Sequence, residues 1–290
     1  MNSVPFKLRN RRCLGLDIFL CRHCNLRCKK CSRYCNIAKP EFYSADDIYK
    51  DIELICSRHI NIGFVSLNGG EPLLHPEITR IIYGLEELRQ KYDDNHFHIN
   101  VFTNGKKFLN MSQEFYDALK FANVTIIYTK YPKESGIDYD KIRAKCREIG
   151  IPHFNNSYFE FNIFDMTKNN FGGNFLKTTP DCGLENYRKK LLFKFLQCVN
   201  ICPNIWQGKI FKCCRVPFID SANEYWGLNY KIEEDDFIRV ENLYSLQQYF
   251  DFIFSAEPFC RYCDNKHMGI PYEWGTGKPE LGDIIYENNE

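Results

Sequence analysis

Residues 14–31 read LGLDIFLCRHCNLRCKKC, seven mostly apolar residues that run straight into four cysteines. The apolar run has the length and composition of a buried strand. Cys21, Cys24, Cys28 and Cys31 fall in the loop at its C-terminal end, where two spacings overlap. One is a pair of C-x2-C knuckles, Cys21/Cys24 and Cys28/Cys31. The other is C-x3-C-x2-C over Cys24, Cys28 and Cys31, which leaves Cys21 out.

Strands and helices alternate outward from this stretch. Ser44 reads as an N-cap with Asp46 and Asp47 in the first turn, ahead of a stripe of Ile48, Ile52, Ile55 and Cys56. IGFVSL (62–67) reads as a second strand leading into NGGEPLL, and Pro76 as part of the first turn of the next helix. FHINVF (97–102) and NVTIIY (123–128) continue the strands, Ser112 caps the helix between them, and a helix over 138–149 stops at Gly150. Residues 153–163 read as a fifth strand. The alternation predicts an α/β fold of parallel strands with right-handed crossovers, whose functional loops follow the strands. The cysteine loop, GGEP and TNG (103–105) all fall at such ends.

The pattern breaks after 165. Residues 166–182 form a polar linker, a helix is expected at 185–197, a β-hairpin at 204–213 and a last helix at 242–256. The expected division is 12–165 for the barrel-like core, 183–270 for a smaller module and 271–290 for a tail.

A hydrophobic content of 44% supports a packed core, and a net charge of +1 argues neither for nor against any partner; no nucleic-acid partner is expected. The basic lead-in at Lys7–Arg12 reads as solvated. No apolar run reaches the length of a membrane span, and no signal-peptide pattern opens the chain, so a cytoplasmic location is expected. Fifteen cysteines in such a compartment point to metal ligands or catalytic groups more than to disulfides. Cys13, Cys56 and Cys146 sit in apolar stretches and read as inert buried thiols.

Four-cysteine zinc sites usually part their knuckles by a dozen or more residues, and only three residues part Cys24 from Cys28, so zinc fits this loop poorly. A single C-x3-C-x2-C loop can instead offer three thiolates to three irons of a [4Fe–4S] cube, leaving the fourth iron open. Cys24-Asn25-Leu26-Arg27-Cys28-Lys29-Lys30-Cys31 resembles the signature of radical S-adenosylmethionine (SAM) enzymes, and Gly69-Gly70-Glu71-Pro72 resembles that family's GGEP loop. The resemblance implies a partial (β/α)6-type TIM barrel and SAM chelated to the open iron. It also implies reductive cleavage to a 5′-deoxyadenosyl radical that takes a hydrogen atom from substrate. It makes Gly69, Gly70, Glu71 and Pro72 cofactor-binding, with Glu71 and the loop carbonyls accepting from the SAM ammonium. Asn104 lines the same pocket, and Tyr128 and Thr129 end the fourth strand near the ribose. One departure is Lys30, which stands where the family usually has an aromatic packed by the adenine.

Cys198 and Cys213 frame Gly208 as C-x9-G-x4-C, and Cys260-x2-Cys263 follows. This resembles the twitch subdomain, half of a SPASM domain, and implies a second [4Fe–4S] cluster on Cys198, Cys213, Cys260 and Cys263. Cys202 can replace Cys198, Cys214 can replace Cys213, and structural zinc on the same thiols is the alternative. Among the spare thiols, Cys214 is a candidate hydrogen donor.

The expected activity is SAM cleavage followed by net oxidation of a small-molecule substrate, a sugar, nucleotide-sugar or aminocyclitol. An external electron donor such as flavodoxin or ferredoxin is expected as partner. The first strand begins by residue 14, which leaves no room for a leader-recognition domain and favours the small molecule over a peptide. Peptide maturation or epimerisation is the alternative enzyme reading, and a non-catalytic cysteine-rich metal-binding or redox-sensing protein is the alternative outside catalysis.

Overall fold

The computed structural model describes residues 13–92, 97–151, 176–177, 203–264 and 273–286. The expected strand at 153–163, the helix at 185–197, the basic lead-in, and Cys182, Cys198 and Cys202 lie outside the described residues. Within them, β1 (Leu14–Phe19), α1 (Ala45–Ser57), β2 (Ile62–Asn68), α2 (Ile78–Lys91), β3 (His98–Thr103), α3 (Gln113–Phe121), β4 (Thr125–Tyr128) and α4 (Tyr139–Ile149) alternate as expected. β5 (Asn204–Trp206), β6 (Lys209–Phe211), α5 (Ile219–Trp226), β7 (Phe237–Arg239) and α6 (Leu246–Ile253) follow.

The helices start where short polar side chains satisfy their free N–H groups. Ser44 accepts from Asp47 N, Ser112 from Phe115 N and Asp138 from Lys141 N. Gly150 ends α4 in the left-handed conformation, φ 72°. α2 begins at Ile78, with Pro76 one residue ahead of its uncapped Glu77. The Glu77 carboxylate turns instead to Ala45 N at the head of α1, 3.2 Å away.

The strands form one sheet in the order β4-β3-β2-β1-β5-β6-β7. β4 through β1 are parallel neighbours, β5 pairs parallel to β1, and β6 and β7 pair antiparallel beyond it. The architecture is α/β, a run of parallel β/α units of the partial-barrel type. β1 lies inside the sheet with both faces covered, and Leu14, Leu16, Ile18, Phe19 and Leu20 are all fully buried. That explains an apolar run without alternation, each such side chain contributing about 1.5–3 kcal/mol.

The hairpin expected in the smaller module is hydrogen-bonded into this same sheet through β5. Gln207 and Gly208 make its two-residue turn, both at positive φ (48° and 74°). Phe19, Trp206 and Phe218 pack with ring centroids 4.1–6.0 Å apart, and Tyr43 joins them 5.6 Å from Trp206. Tyr249 of α6 donates to Gly15 O of β1 at 2.8 Å. The described residues 203–264 are therefore seated directly on the strand that carries the cysteine loop. The described part of the expected tail, 273–286, is also seated: Thr276 forms an antiparallel bridge with Cys28. Among the described residues no helix is long and apolar enough to cross a membrane.

Candidate functional site

The cysteine loop, the GGEP turn and the TNG turn sit side by side because β1, β2 and β3 are adjacent and parallel. Close backbone packing joins the first two turns. Gly70 N donates to Cys21 O and Glu71 N to His23 O, each at 2.8 Å. A Cβ on Gly70 would lie 2.1 Å from His23 O, and one on Gly69 (φ 154°) would meet Cys21 O at 3.0 Å. The two glycines are thus required by approach of the cysteine loop itself. Pro72 opens a short 3-10 turn, Pro72–Leu74, that leads away from the site.

The Glu71 carboxylate is turned inward, onto the turns after β2 and β3. The side chain is fully buried; Oε1 accepts from Thr103 Oγ1 at 2.6 Å and Leu73 N at 3.1 Å, and Oε2 from Asn104 N at 2.8 Å. Both oxygens are engaged because the turns after β2 and β3 present free N–H groups that nothing else reaches. Burial pushes this carboxyl up to about 7, and its hydrogen bonds limit the rise. Glu71 ties the two turns together, and what the GGEP turn offers outward is backbone.

Cys24, Cys28 and Cys31 are partly buried and each sulfur has a hydrogen-bond donor. Cys24 Sγ accepts from Leu26 N at 3.4 Å and Asn104 Nδ2 at 3.7 Å. Asn104 Nδ2 also donates to Asn25 Oδ1 at 2.8 Å, so Asn104 is locked onto the loop. Cys28 Sγ accepts from Trp274 Nε1 at 3.2 Å, and the Tyr131 side chain hydrogen-bonds the same sulfur. Cys31 is hydrogen-bonded to Cys35, which pulls it down to about 6 against the effect of burial. Cys35 is correspondingly raised, first by that bond and then by burial. Burial raises Cys24, and it holds Cys28 up at about 11.

Cys21, the fourth cysteine of the run, points elsewhere. Its thiol donates to Glu71 O at 3.3 Å and His23 O at 3.4 Å, inside the seam between the two turns. Between the two spacings, this geometry favours C-x3-C-x2-C. Donors aimed at sulfur suit thiolates better than thiols, so Cys24, Cys28 and Cys31 fit an iron–sulfur group held at three corners.

The assignments at the end of β4 fare differently. Tyr128 stacks on Tyr139 of α4 with centroids 5.1 Å apart, and Thr129 bonds Thr103 O through its N–H. It is Tyr131, two residues on, that reaches the cysteines. Spacing did not single out Tyr131, Trp274 or Arg33. Arg33 donates to Gly69 O at 3.2 Å and lies over the Phe19 ring. Two glycines flanking Thr276, directly after a tryptophan, were the one sign in 273–277 that the tail is an ordered segment.

The second cysteine group follows β6. Cys213, Cys214 and Cys263 lie within electrostatic reach of the buried Arg215 guanidinium; burial works to lower it, and these thiols with Tyr34 hold it raised. Cys260 and Cys263 sit on the 3-10 turn Pro258–Tyr262 and its cap. Tyr34, at φ 54°, extends from the first loop toward this group, and its hydroxyl has no hydrogen-bond partner among the described residues. Cys198 lies outside the described residues.

Comparison with known proteins agrees with the loop. Residues 18–130 match the Radical SAM superfamily model. GTP 3′,8-cyclase of Rippkaea orientalis is 31% identical over 118 residues, 38% of this chain and 33% of that protein. The enzyme of the same name from Clostridium acetobutylicum is 34% identical over 114 residues, 38% of this chain and 34% of that protein. The chain thus spans about a third of the length of the curated relatives it matches. Among solved structures, Streptococcus suis SuiB bound to S-adenosylmethionine aligns at 20% identity and TM-score 0.39, over 48% of this chain and 32% of SuiB. The anSMEcpe structure with bound AdoMet aligns at 14% identity and TM-score 0.48, over 87% of this chain and 80% of that one. The match to the Radical SAM superfamily model, residues 18–130, takes in the loop after β1 with Cys24, Cys28 and Cys31, the GGEP turn and Asn104.

Proposed function

We propose that the chain is a radical SAM enzyme acting on a small molecule. The observation that carries this is the trio of donor-supported sulfurs, Cys24, Cys28 and Cys31, on one loop beside GGEP and Asn104. When bound, a [4Fe–4S] cluster and SAM supply the deoxyadenosyl radical that takes hydrogen from substrate. The chain's own part is to hold and orient. Gly69, Gly70 and Pro72 set backbone carbonyls toward the SAM ammonium, Glu71 fixes the turn that carries them, and Asn104 holds the Cys24 side of the loop. Tyr128 and Thr129 remain assigned to the ribose side of the pocket.

For the second site, we infer an auxiliary [4Fe–4S] cluster on Cys198, Cys213, Cys260 and Cys263, with Arg215 offsetting its negative charge. Cys214, whose thiol shares the Arg215 neighbourhood, is assigned as the spare hydrogen donor. A second cluster suits a net oxidation of a sugar, nucleotide-sugar or aminocyclitol, because it can receive the electron left on the substrate. Flavodoxin or ferredoxin is the proposed source of the reducing electron. Closure of the Cys28 flank by Trp274 and Tyr131 supports a compact substrate over an extended peptide. A redox-neutral conversion of a nucleotide is the second reading, favoured by the name of the two curated relatives. Anaerobic reconstitution, followed by SAM, dithionite and a panel of deuterated sugars, aminocyclitols and GTP, tests these readings. Deuterium in 5′-deoxyadenosine with one substrate supports the proposal, and its form in the product separates oxidation from rearrangement. Cluster-loaded protein that never cleaves SAM contradicts both.

A further inference from the structure

The segment 273–277 reaches the cysteine loop from the far end of the chain and is fastened along it like a short strand. Lys29 N donates to Gly275 O at 2.9 Å, Gly277 N donates to Arg27 O at 3.0 Å, and Thr276 bridges Cys28 between them. These bonds deliver one side chain to the sulfur: Trp274 Nε1 lies 3.2 Å from Cys28 Sγ. Its ring packs on Tyr131 with centroids 5.5 Å apart, and the Tyr131 side chain hydrogen-bonds the same sulfur. Two donors from distant parts of the chain, one just after β4 and one near the C-terminus, therefore converge on one of three candidate ligands. Cys24 and Cys31 are served by groups within the loop itself or the adjoining turn after β3.

Hydrogen bonds to a ligating sulfur stabilise the more negative, reduced state of an iron–sulfur group and so raise its potential. We propose that Trp274, assisted by Tyr131, is a positioning residue that raises the reduction potential of the group on the Cys24–Cys31 loop through Cys28. The C-terminal segment thereby sets how readily the site gives up its electron. This rests on the radical SAM reading.

The test is an EPR-monitored potentiometric titration of the reconstituted full chain, following the signal that SAM addition alters. Trp274→Phe keeps the ring against Tyr131 and removes only the donor. The expected result is a midpoint moved to more negative potential with iron and sulfide content unchanged. Tyr131→Phe is expected to move it the same way, and the double variant further. A merely structural role lowers iron content and leaves the midpoint of the loaded fraction where it was. An unchanged or more positive midpoint in loaded Trp274→Phe overturns the inference. Should that variant fail to load iron, Tyr131→Phe decides by the same criterion. Wild-type protein that assembles no SAM-sensitive group overturns the radical SAM reading and the inference with it, an outcome distinct from loaded protein with an unmoved potential.

Discussion

The two cysteine groups lie on either side of Tyr34 and are built in opposite ways. The first takes Cys24, Cys28 and Cys31 from one loop after β1, and their sulfurs meet N–H and S–H donors. The second gathers Cys213 and Cys214 at the end of the hairpin with Cys263 beyond α6, around a buried cation, Arg215. One loop fixes its thiols by local geometry, so spacing in the sequence alone is enough to propose a ligand set. A group assembled from distant elements depends on how the hairpin and the last turns dock, and spacing leaves its membership open. Tyr34 joins them, since its N–H bonds Cys31 O while its hydroxyl faces the second group.

The sharpest way to break the comparison is to remove a thiol from each side. Cys24→Ala, Cys28→Ala or Cys31→Ala is expected to abolish SAM cleavage, measured as 5′-deoxyadenosine. Cys263→Ser is expected to lose about half the bound iron while SAM cleavage persists in part. Full cleavage and full iron in that variant would remove Cys263 from any ligand set.

Next in size is the glycine seam that seats the first loop. Gly70→Ala places a Cβ against the His23 carbonyl and is expected to cost about 3 kcal/mol, read by urea unfolding. Gly282→Ala, with nothing within 4 Å of the added carbon, is the control and is expected within about 0.5 kcal/mol of wild type.

A smaller effect separates the buried charges near the second group. Burial raises Glu257 to about 8, with Lys212 opposing and Asp236 adding to the rise, and burial raises Asp236 to about 6. A carboxyl raised on folding binds its proton more tightly in the folded state, so stability falls as pH climbs from the unfolded value, about 4.5, toward 8. Glu257→Gln is expected to flatten that decline by on the order of 2 kcal/mol in urea unfolding followed across pH. A slope equal to wild type would show that Glu257 is paired and ionised when folded.

Much of the first region was legible because its signals are local. The apolar run of β1, the caps Ser44 and Ser112, the Gly150 stop and the C-x3-C-x2-C loop all depend on residues within a few positions of one another. The partners of Glu71 were not legible, because Thr103 and Asn104 come from the next strand's turn, and a carboxylate in a motif gives no sign of which way it points. Trp274 was passed over as tail because its value comes from a bridge to Cys28 some 246 residues earlier. The hairpin was recognised from Gln207-Gly208, but its attachment to β1 follows from the aromatic packing of Phe19, Trp206 and Phe218, which periodicity does not encode.

The account turns on three sulfurs leaving one corner of an iron–sulfur cube for SAM. Low-temperature ENDOR of the dithionite-reduced protein with SAM labelled by 15N at its amine tests this most directly. The account predicts a 15N coupling that appears with labelled SAM and is absent from Cys28→Ala. A spectrum indifferent to SAM, or stoichiometric zinc in place of iron, contradicts it.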